Sequence, residues 1–306
     1  MTALSLFPTE QMNPRTQEID QLPTEDVLKL INQEDQTVAS VVAQAIPQII
    51  PVVEAAKKAL QTGGRLFYVG AGTSGRLGVL DAAECPPTFS TPAEWVQGII
   101  AGGSIALQQA VEGAEDSAEA GAQDIQTAQV KENDVVIGLS ASGGAAYVLA
   151  AMQTARQFGA VTACITCNPN GKLFHAVTYP VVAEVGPEVI AGSTRMKAGT
   201  AQKLILNMIS TATMVRLGKT YQNLMVDVRP TNLKLRDRAA RIVATLAGVS
   251  VATAQETLDA CHFEVKTAIV MQRCNVDAAT ARKALARHEG QLRRTLEHQN
   301  EANLSP

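Results

Sequence analysis

Short apolar runs rich in β-branched residues recur at Leu66–Val69, Trp95–Ile100, Val135–Leu139, Val161–Thr166 and Pro180–Val185. Each has the length and composition of a buried strand, and Gly70 and Ser140 end two of them. Between the runs the apolar period lengthens to that of helices, over Arg76–Glu84, Ile105–Gln129 and Ala145–Phe158. The run Cys85-Pro86-Pro87 is expected to stop the first of these. Alternating strands and helices predict parallel strands joined by crossovers, a doubly wound α/β sheet.

The flanks read differently. Residues 1 to about 22 are polar and broken by Pro8 and Pro14, an extended arm. Thr24 with Glu25 and Asp26 opens a helix, and Gln36 to Gln61 continues as helix bent at Pro47 and Pro51. After the sheet, Ser193 or Thr194 in Gly192-STRMKAGT can cap a long, apolar helix running to about Leu217. Beyond a boundary around Arg229-Pro230 only helical periodicity remains. Leu235, Ala239, Ile242, Val243 and Leu246 form one stripe, which Gly248 ends. Helices are then expected at Ala252–Cys261, over the apolar run after Phe263, and at Asp277–His288. The organisation is therefore an N-terminal arm with helices over residues 1–55, an α/β domain over 56–222 and a helical domain over 223–306.

Composition narrows the class. The chain of 306 residues is 46% hydrophobic, enough for a sizeable core, and its net charge of −3 gives no reason to expect nucleic acid or an anionic membrane as a partner. No basic, apolar leader opens the chain. The most apolar stretch, Val41 to Val53, is interrupted by Gln44, Pro47, Gln48 and Pro51, so a cytoplasmic protein is expected. Cys164 and Cys167 form a C-x-x-C, but inside a strand and without a second pair, so packed free thiols are expected. The four histidines lack metal-ligand spacing.

The candidate chemistry lies where strands end. Arg65-LFYVGAGTSGR places Gly70, Gly72 and Gly75, with Thr73 and Ser74 among them, between a strand and a helix. Backbone amides aimed at one spot, with the helix dipole behind them, suit a phosphate. The same glycines fit the dinucleotide pattern G-x-G-x-x-G, but Glu94 precedes the next strand, the wrong end for a ribose-binding acid. A second loop with Ser140, Ser142, Gly143 and Gly144 follows another strand. Ser/Gly loops on two strands suggest a phosphate held by hydroxyls and amides from both. Thr194 or Arg195 could touch an anion at the start of the long helix. Two acids stand out. Glu84 lies among Ala82, Ala83, Cys85 and Pro86, a setting for a partly buried carboxyl with a raised pKa, and Glu115 lies in Val111-EGAED. No Ser–His–Asp set, Walker loop or H-E-x-x-H accompanies them, which leaves carboxylate acid–base work on a phosphorylated substrate.

Gly70-AGTSGR with Ser140-ASGG resembles a sugar-isomerase (SIS) domain. Together with Asn13-PRTQEID, VGAGTSGRLGVLDAAECPPTF and AGSTRMKAGTAQK, it resembles the N-acetylmuramic acid 6-phosphate etherases over nearly the whole chain, including a three-helix tail similar to a ubiquitin-associated fold. The resemblance implies a homodimer that splits the lactyl ether of a sugar phosphate without metal or redox cofactor. It implies that Glu84 and Glu115 are the catalytic acids, with their roles interchangeable at this point. Gly72, Thr73, Ser74, Gly75, Ser140, Ser142, Gly143, Ser193 and Thr194 are then the candidate phosphate and sugar contacts. A non-catalytic sugar-phosphate sensor similar to the glucokinase regulatory protein, and a nicotinamide-dependent dehydrogenase, are the alternatives. At an estimated 1.5 Å per residue, Glu84 would stand roughly 13 Å from Gly75 if one helix joins them. Either that helix is shorter, or the site draws on both subunits.

Overall fold

Each apolar run becomes a strand of one parallel sheet in the computed structural model, which describes residues 7–228 and 232–302. The boundary expected around Arg229-Pro230 lies outside the described residues. The strands are β1 Leu66–Gly70, β2 Val96–Ile100, β3 Val135–Leu139, β4 Val161–Thr166 and β5 Tyr179–Val182, in the order β2-β1-β3-β4-β5. β1 and β3 are buried at every position. Strands covered on both faces are apolar throughout rather than alternating, which is why they stand out in the sequence. This order reverses direction between β1 and β3. In open α/β sheets the crevice outside the carboxyl ends of such a pair is where ligands bind.

By its internal contacts the chain forms two units, residues 1–83 with 93–213 and residues 84–92 with 214–306. The first unit holds the sheet and its flanking helices. Helices α1 Thr24–Asp35 and α2 Val38–Gln61 precede it, and Pro47 and Pro51 lie inside α2. The stretch Thr24–Gln61 is long and apolar enough to cross a membrane by length and composition alone. Part of its apolar side lies on the sheet, while Leu28, Ile46 and Ile50 stay exposed. Val42, Val52 and Ala56 are fully buried, and α2 packs on β1, β3 and β5.

α3 runs Gly72–Phe89, longer at both ends than the pattern predicts. Pro86 and Pro87 do not stop it, although each lacks a donor and its ring crowds the carbonyl four residues back; they lie in its last turn. The Pro86 carbonyl still accepts from the Ser90 amide at 2.9 Å, and the helix ends where Ser90 turns left-handed at φ 50°. The single helix expected over Ile105–Gln129 is broken instead. Short 3-10 turns at Gly103–Leu107 and Ala114–Asp116 precede α4 Ala118–Thr127. Gly102, Gly103 and Gly113 take left-handed φ there, and the Ser117 side chain accepts from the Ala120 amide to cap α4. Next come α5 Ala146–Gln157, the short α6 Lys172–Ala176, and α7 Lys197–Arg216.

The second unit carries a two-stranded antiparallel pair, β6 Thr220–Tyr221 and β7 Leu224–Met225. Five helices follow: α8 Leu233–Ala247, α9 Val251–Ala260, α10 Val265–Cys274, α11 Ala278–Arg287 and α12 Leu292–Ala302. The three tail helices expected from the resemblance are part of this larger set. Gly248 ends α8 with φ 71°, as its position in the sequence predicts. Val243, Leu258, Ile269 and Ala281 are fully buried in the core of this unit. Elsewhere, Cys164 and Cys167 are buried thiols whose pKa burial pushes up to about 12, the behaviour of packed rather than reactive cysteines.

Candidate active site

The first loop is tighter than a glycine-rich loop need be. β1 ends at Gly70 and α3 begins two residues later at Gly72, whose φ of +54° turns the chain. A Cβ on Gly75 would lie 2.6 Å from the Gly70 carbonyl and 2.6 Å from Ile100, so only glycine lets the helix start this close to the strand. Thr73 and Ser74 therefore stand in the first turn of α3, where helix amides lack intrahelical acceptors and the dipole is positive. The Gly75 amide bonds the Ala71 carbonyl at 3.2 Å, and the Ser74 hydroxyl donates to Gln202 Oε1 at 2.8 Å.

The second loop lies alongside, because Gly70 pairs in register with Leu139 at the end of β3. Ser140 is buried, and its Oγ accepts from the Gly143 amide at 3.1 Å. Ser142 is half-buried, and its Oγ accepts from the Gly144 amide at 3.2 Å. A hydroxyl that accepts a backbone amide keeps its own proton to donate elsewhere. The loop's shape is fixed from β4. Asn168 Nδ2 donates to the Ser142 carbonyl at 3.0 Å and the Thr166 hydroxyl to the Ala141 carbonyl at 3.2 Å. Gly143, at φ +68°, passes so close to Thr166 and Gly171 that a Cβ would meet both at 3.1 Å. The structure thus brings Gly72, Thr73, Ser74 and Gly75 together with Ser140, Ser142 and Gly143 at the carboxyl ends of adjacent strands.

The third segment approaches the same place. On α7, a Cβ on Gly199 would lie 3.5 Å from the Thr73 methyl, so the first turns of α3 and α7 meet. Ser193 and Thr194 are half-buried in the turn before α7 but do not cap it. The cap is the carboxylate of Glu188, which accepts from the amides of Lys197 and Ala198, both at 2.9 Å. Glu188 is fully buried. Burial raises its pKa and outweighs the lowering by the two amides and by the Lys197 charge. Lys197 in turn pairs with Glu34 of α1 at 2.7 Å, both nearly inaccessible, and Arg15 of the arm holds the same carboxylate. Thr16 of the arm donates to the Val189 carbonyl at 2.8 Å, and the Gly192 amide donates to the Thr9 carbonyl at 3.0 Å. The arm is strapped onto the segment that leads into α7.

The two acids are placed differently. Glu84 lies nine residues past Gly75 on one unbroken helix, roughly 13 Å at the 1.5 Å rise per residue, so the alternative of a shorter helix falls away. Its side chain is exposed rather than partly buried. Helical periodicity sends Asp81, Ala82 and Cys85 inward and leaves Ala83 and Glu84 outside. Glu115 is also exposed, in the 3-10 turn before α4. Sequence reasoning missed Asp81, Asn168, Glu188 and Gln202. All four are buried polar side chains. The available signal was a polar residue interrupting an apolar helical face, as at Asp81 and Gln202.

Residues 48–156 match the glucokinase regulatory protein N-terminal SIS domain, and residues 106–212 match the SIS domain. A solved phosphoheptose isomerase from Francisella tularensis is 16% identical, covering 63% of this chain and 100% of that one at a TM-score of 0.49. The N-acetylmuramic acid 6-phosphate etherases of Salmonella typhimurium and Salmonella dublin are each 50% identical over 295 residues, 96% of this chain and 99% of theirs. Identity at that level over nearly the full length of both chains means that this chain belongs to the N-acetylmuramic acid 6-phosphate etherase family.

Proposed function

We propose that this protein cleaves the lactyl ether of N-acetylmuramic acid 6-phosphate, releasing N-acetylglucosamine 6-phosphate and D-lactate during cytoplasmic recycling of cell-wall sugars. Full-length kinship supports the substrate. The observation that carries the site is the double cradle at the ends of the paired strands β1 and β3, with the helix start of α3 after one and two hydroxyls with amide-fixed oxygens after the other. The phosphate is held there by Ser74, Ser140 and Ser142 with the first amides of α3, and Thr73, Ser193 and Thr194 border it.

An alkyl ether resists simple hydrolysis by carboxylates. In the open-chain sugar, however, the lactyl oxygen sits on C3, β to the C1 aldehyde. Glu115 takes the C2 proton, and the C2–H electrons pass into an enolate with the C1 carbonyl; the enolate then re-forms the aldehyde and makes the C2–C3 double bond as the C3–O bond breaks. The departing lactate oxygen takes a proton from Glu84. Glu84, now a carboxylate, removes a proton from the water that adds at C3, and C2 is reprotonated. The reaction needs one acid, one base and a grip on the phosphate. The opposite assignment of the two glutamates obeys the same chemistry. The distance along α3 favours a homodimer in which the cradle of one subunit works with Glu84 of the other.

Isotope labelling tests the order of events. Product formed in D₂O carries deuterium at C2, and in H₂¹⁸O the label enters the C3 hydroxyl of the sugar. Protium at C2 of fully converted product, with ¹⁸O in lactate, would overturn elimination. The match to the glucokinase regulatory protein domain sustains one second reading, a sugar-phosphate sensor. Catalytic release of lactate rules it out.

A further inference from the structure

Gln202 lies on α7 with only 1% of its surface exposed. Its Oε1 accepts the Ser74 hydroxyl at 2.8 Å, whereas its Nε2 is buried without a hydrogen-bond partner among the described residues. A buried amide donor left without an acceptor is costly, and in a native fold it calls for an explanation. The orphan sits on the side chain that accepts the hydroxyl proton of Ser74, a serine of the proposed phosphate cradle. A serine hydroxyl has a single proton. As long as Ser74 gives it to Gln202, Ser74 has none for a phosphate oxygen.

Both facts resolve together if the carboxamide turns over. With Nε2 toward Ser74, the amide donates to Oγ, and the Ser74 proton is released toward the cradle. The group then lacking a partner is a carbonyl oxygen, which folded proteins tolerate better than an orphaned donor. We propose that Gln202 is a positioning residue that sets the donor state of Ser74. Ser74 gives its proton to Gln202 in the free protein, and Gln202 backs it as a phosphate donor when substrate binds. This rests on the reading of Ser74 as a phosphate ligand.

The test is steady-state kinetics of the full-length protein on N-acetylmuramic acid 6-phosphate, with melting curves to verify folding. Gln202→Glu keeps the acceptor and the shape but cannot donate as a carboxylate, so it locks Ser74 in the wrong state. KM should rise by about tenfold or more, the equivalent of one good hydrogen bond, with kcat changed by less than about threefold. Gln202→Met, which brings no charge near the phosphate and keeps the fold testable, should raise KM by a smaller factor of about three to ten. On a Ser74→Ala background Gln202→Met should then add almost nothing, because the side chain acts only through that hydroxyl. Multiplicative effects of Ser74→Ala and Gln202→Met, or an unchanged KM in Gln202→Glu, would overturn the proposal. An unchanged KM in Ser74→Ala would overturn the phosphate reading of Ser74, and this proposal with it.

Discussion

Asp81 and Glu84 occupy successive turns of α3 and meet opposite fates. Asp81 is buried and accepts from Tyr68 at 2.9 Å, Asn207 at 2.7 Å and Ser210 at 3.1 Å, so both its oxygens are hydrogen-bonded and tie the helix to β1 and α7. Glu84 is left exposed on the outer face of the helix, where the proposed acid would be open to substrate. Glu84→Gln should fold and bind substrate yet lose about 10²–10⁴-fold in lactate release, the usual cost of a lost general acid. If Glu84 is the acid alone, unreacted substrate in D₂O still exchanges its C2 proton in this variant, followed by NMR, whereas Glu115→Gln loses both exchange and release. The reverse pattern assigns the two roles the other way round. As a proposed phosphate ligand, Ser142 would act in ground-state binding, because the phosphate stays unchanged through the reaction. Ser142→Ala should raise KM more than it lowers kcat, and a fall in kcat at constant KM would move Ser142 to the reacting centre.

At the scale of elements, what is legible in the sequence is what local chemistry decides. The five strands announce themselves as apolar runs because the sheet is covered, and Gly72 and Gly75 mark a turn that only glycine can make. The start of α7 is different. Its cap is Glu188, and the charge beside that cap is balanced by Glu34, 163 residues away from Lys197 in sequence, so no local pattern could favour it over Ser193 or Thr194. Likewise Ser74 and Gln202 are 128 residues apart. The Lys197–Glu34 pair supports a prediction of its own. Burial, the largest influence, raises the Glu34 pKa, but the hydrogen bonds of Lys197 and Asn13 and the charges of Lys197 and Arg15 together bring it below its ordinary value. A lowered carboxyl pKa stabilises the fold above the ordinary value near 4.5, and that stability is lost as pH falls through the lowered one. Lys197→Met leaves Glu34 buried with Arg15 as its remaining cation, and should cost about 3 kcal/mol near neutral pH. The cost should shrink in acid, because Glu34 of the variant, without Lys197 to hold its pKa down, takes up a proton more readily and then needs no counter-charge. Urea titrations of wild type and variant at pH 7 and pH 4 measure the difference. An equal loss at both would mean that Lys197 stabilises by packing and not by charge.

At the scale of the molecule, the question is how many chains make one site. Because α3 is unbroken from Gly72 to Phe89, Glu84 follows Gly75 by nine residues, roughly 13 Å at the helical rise, and a hexose phosphate by itself spans less. A homodimer related by a two-fold axis removes the difficulty, since each cradle can face the partner's acid and both sites form at once. Mixing two dead variants measures this directly. Ser142→Asp puts a carboxylate where the phosphate must sit, and Glu84→Gln removes the acid. Each alone should be nearly inactive at substrate concentrations below KM. If the site is shared, a mixed dimer has one site with both lesions and one with neither. Equal mixing with free exchange makes about half of the dimers mixed, so activity should recover to about a quarter of wild type. If each subunit carries a complete site, every site in the mixture keeps one lesion and activity stays at the level of the separate variants. Sedimentation of the mixture, with one variant fluorescently labelled, verifies that subunits exchanged. Recovery to about a quarter with exchange demonstrated requires Glu84 and Ser142 of one site to come from different chains, and no recovery under the same condition requires them to come from one.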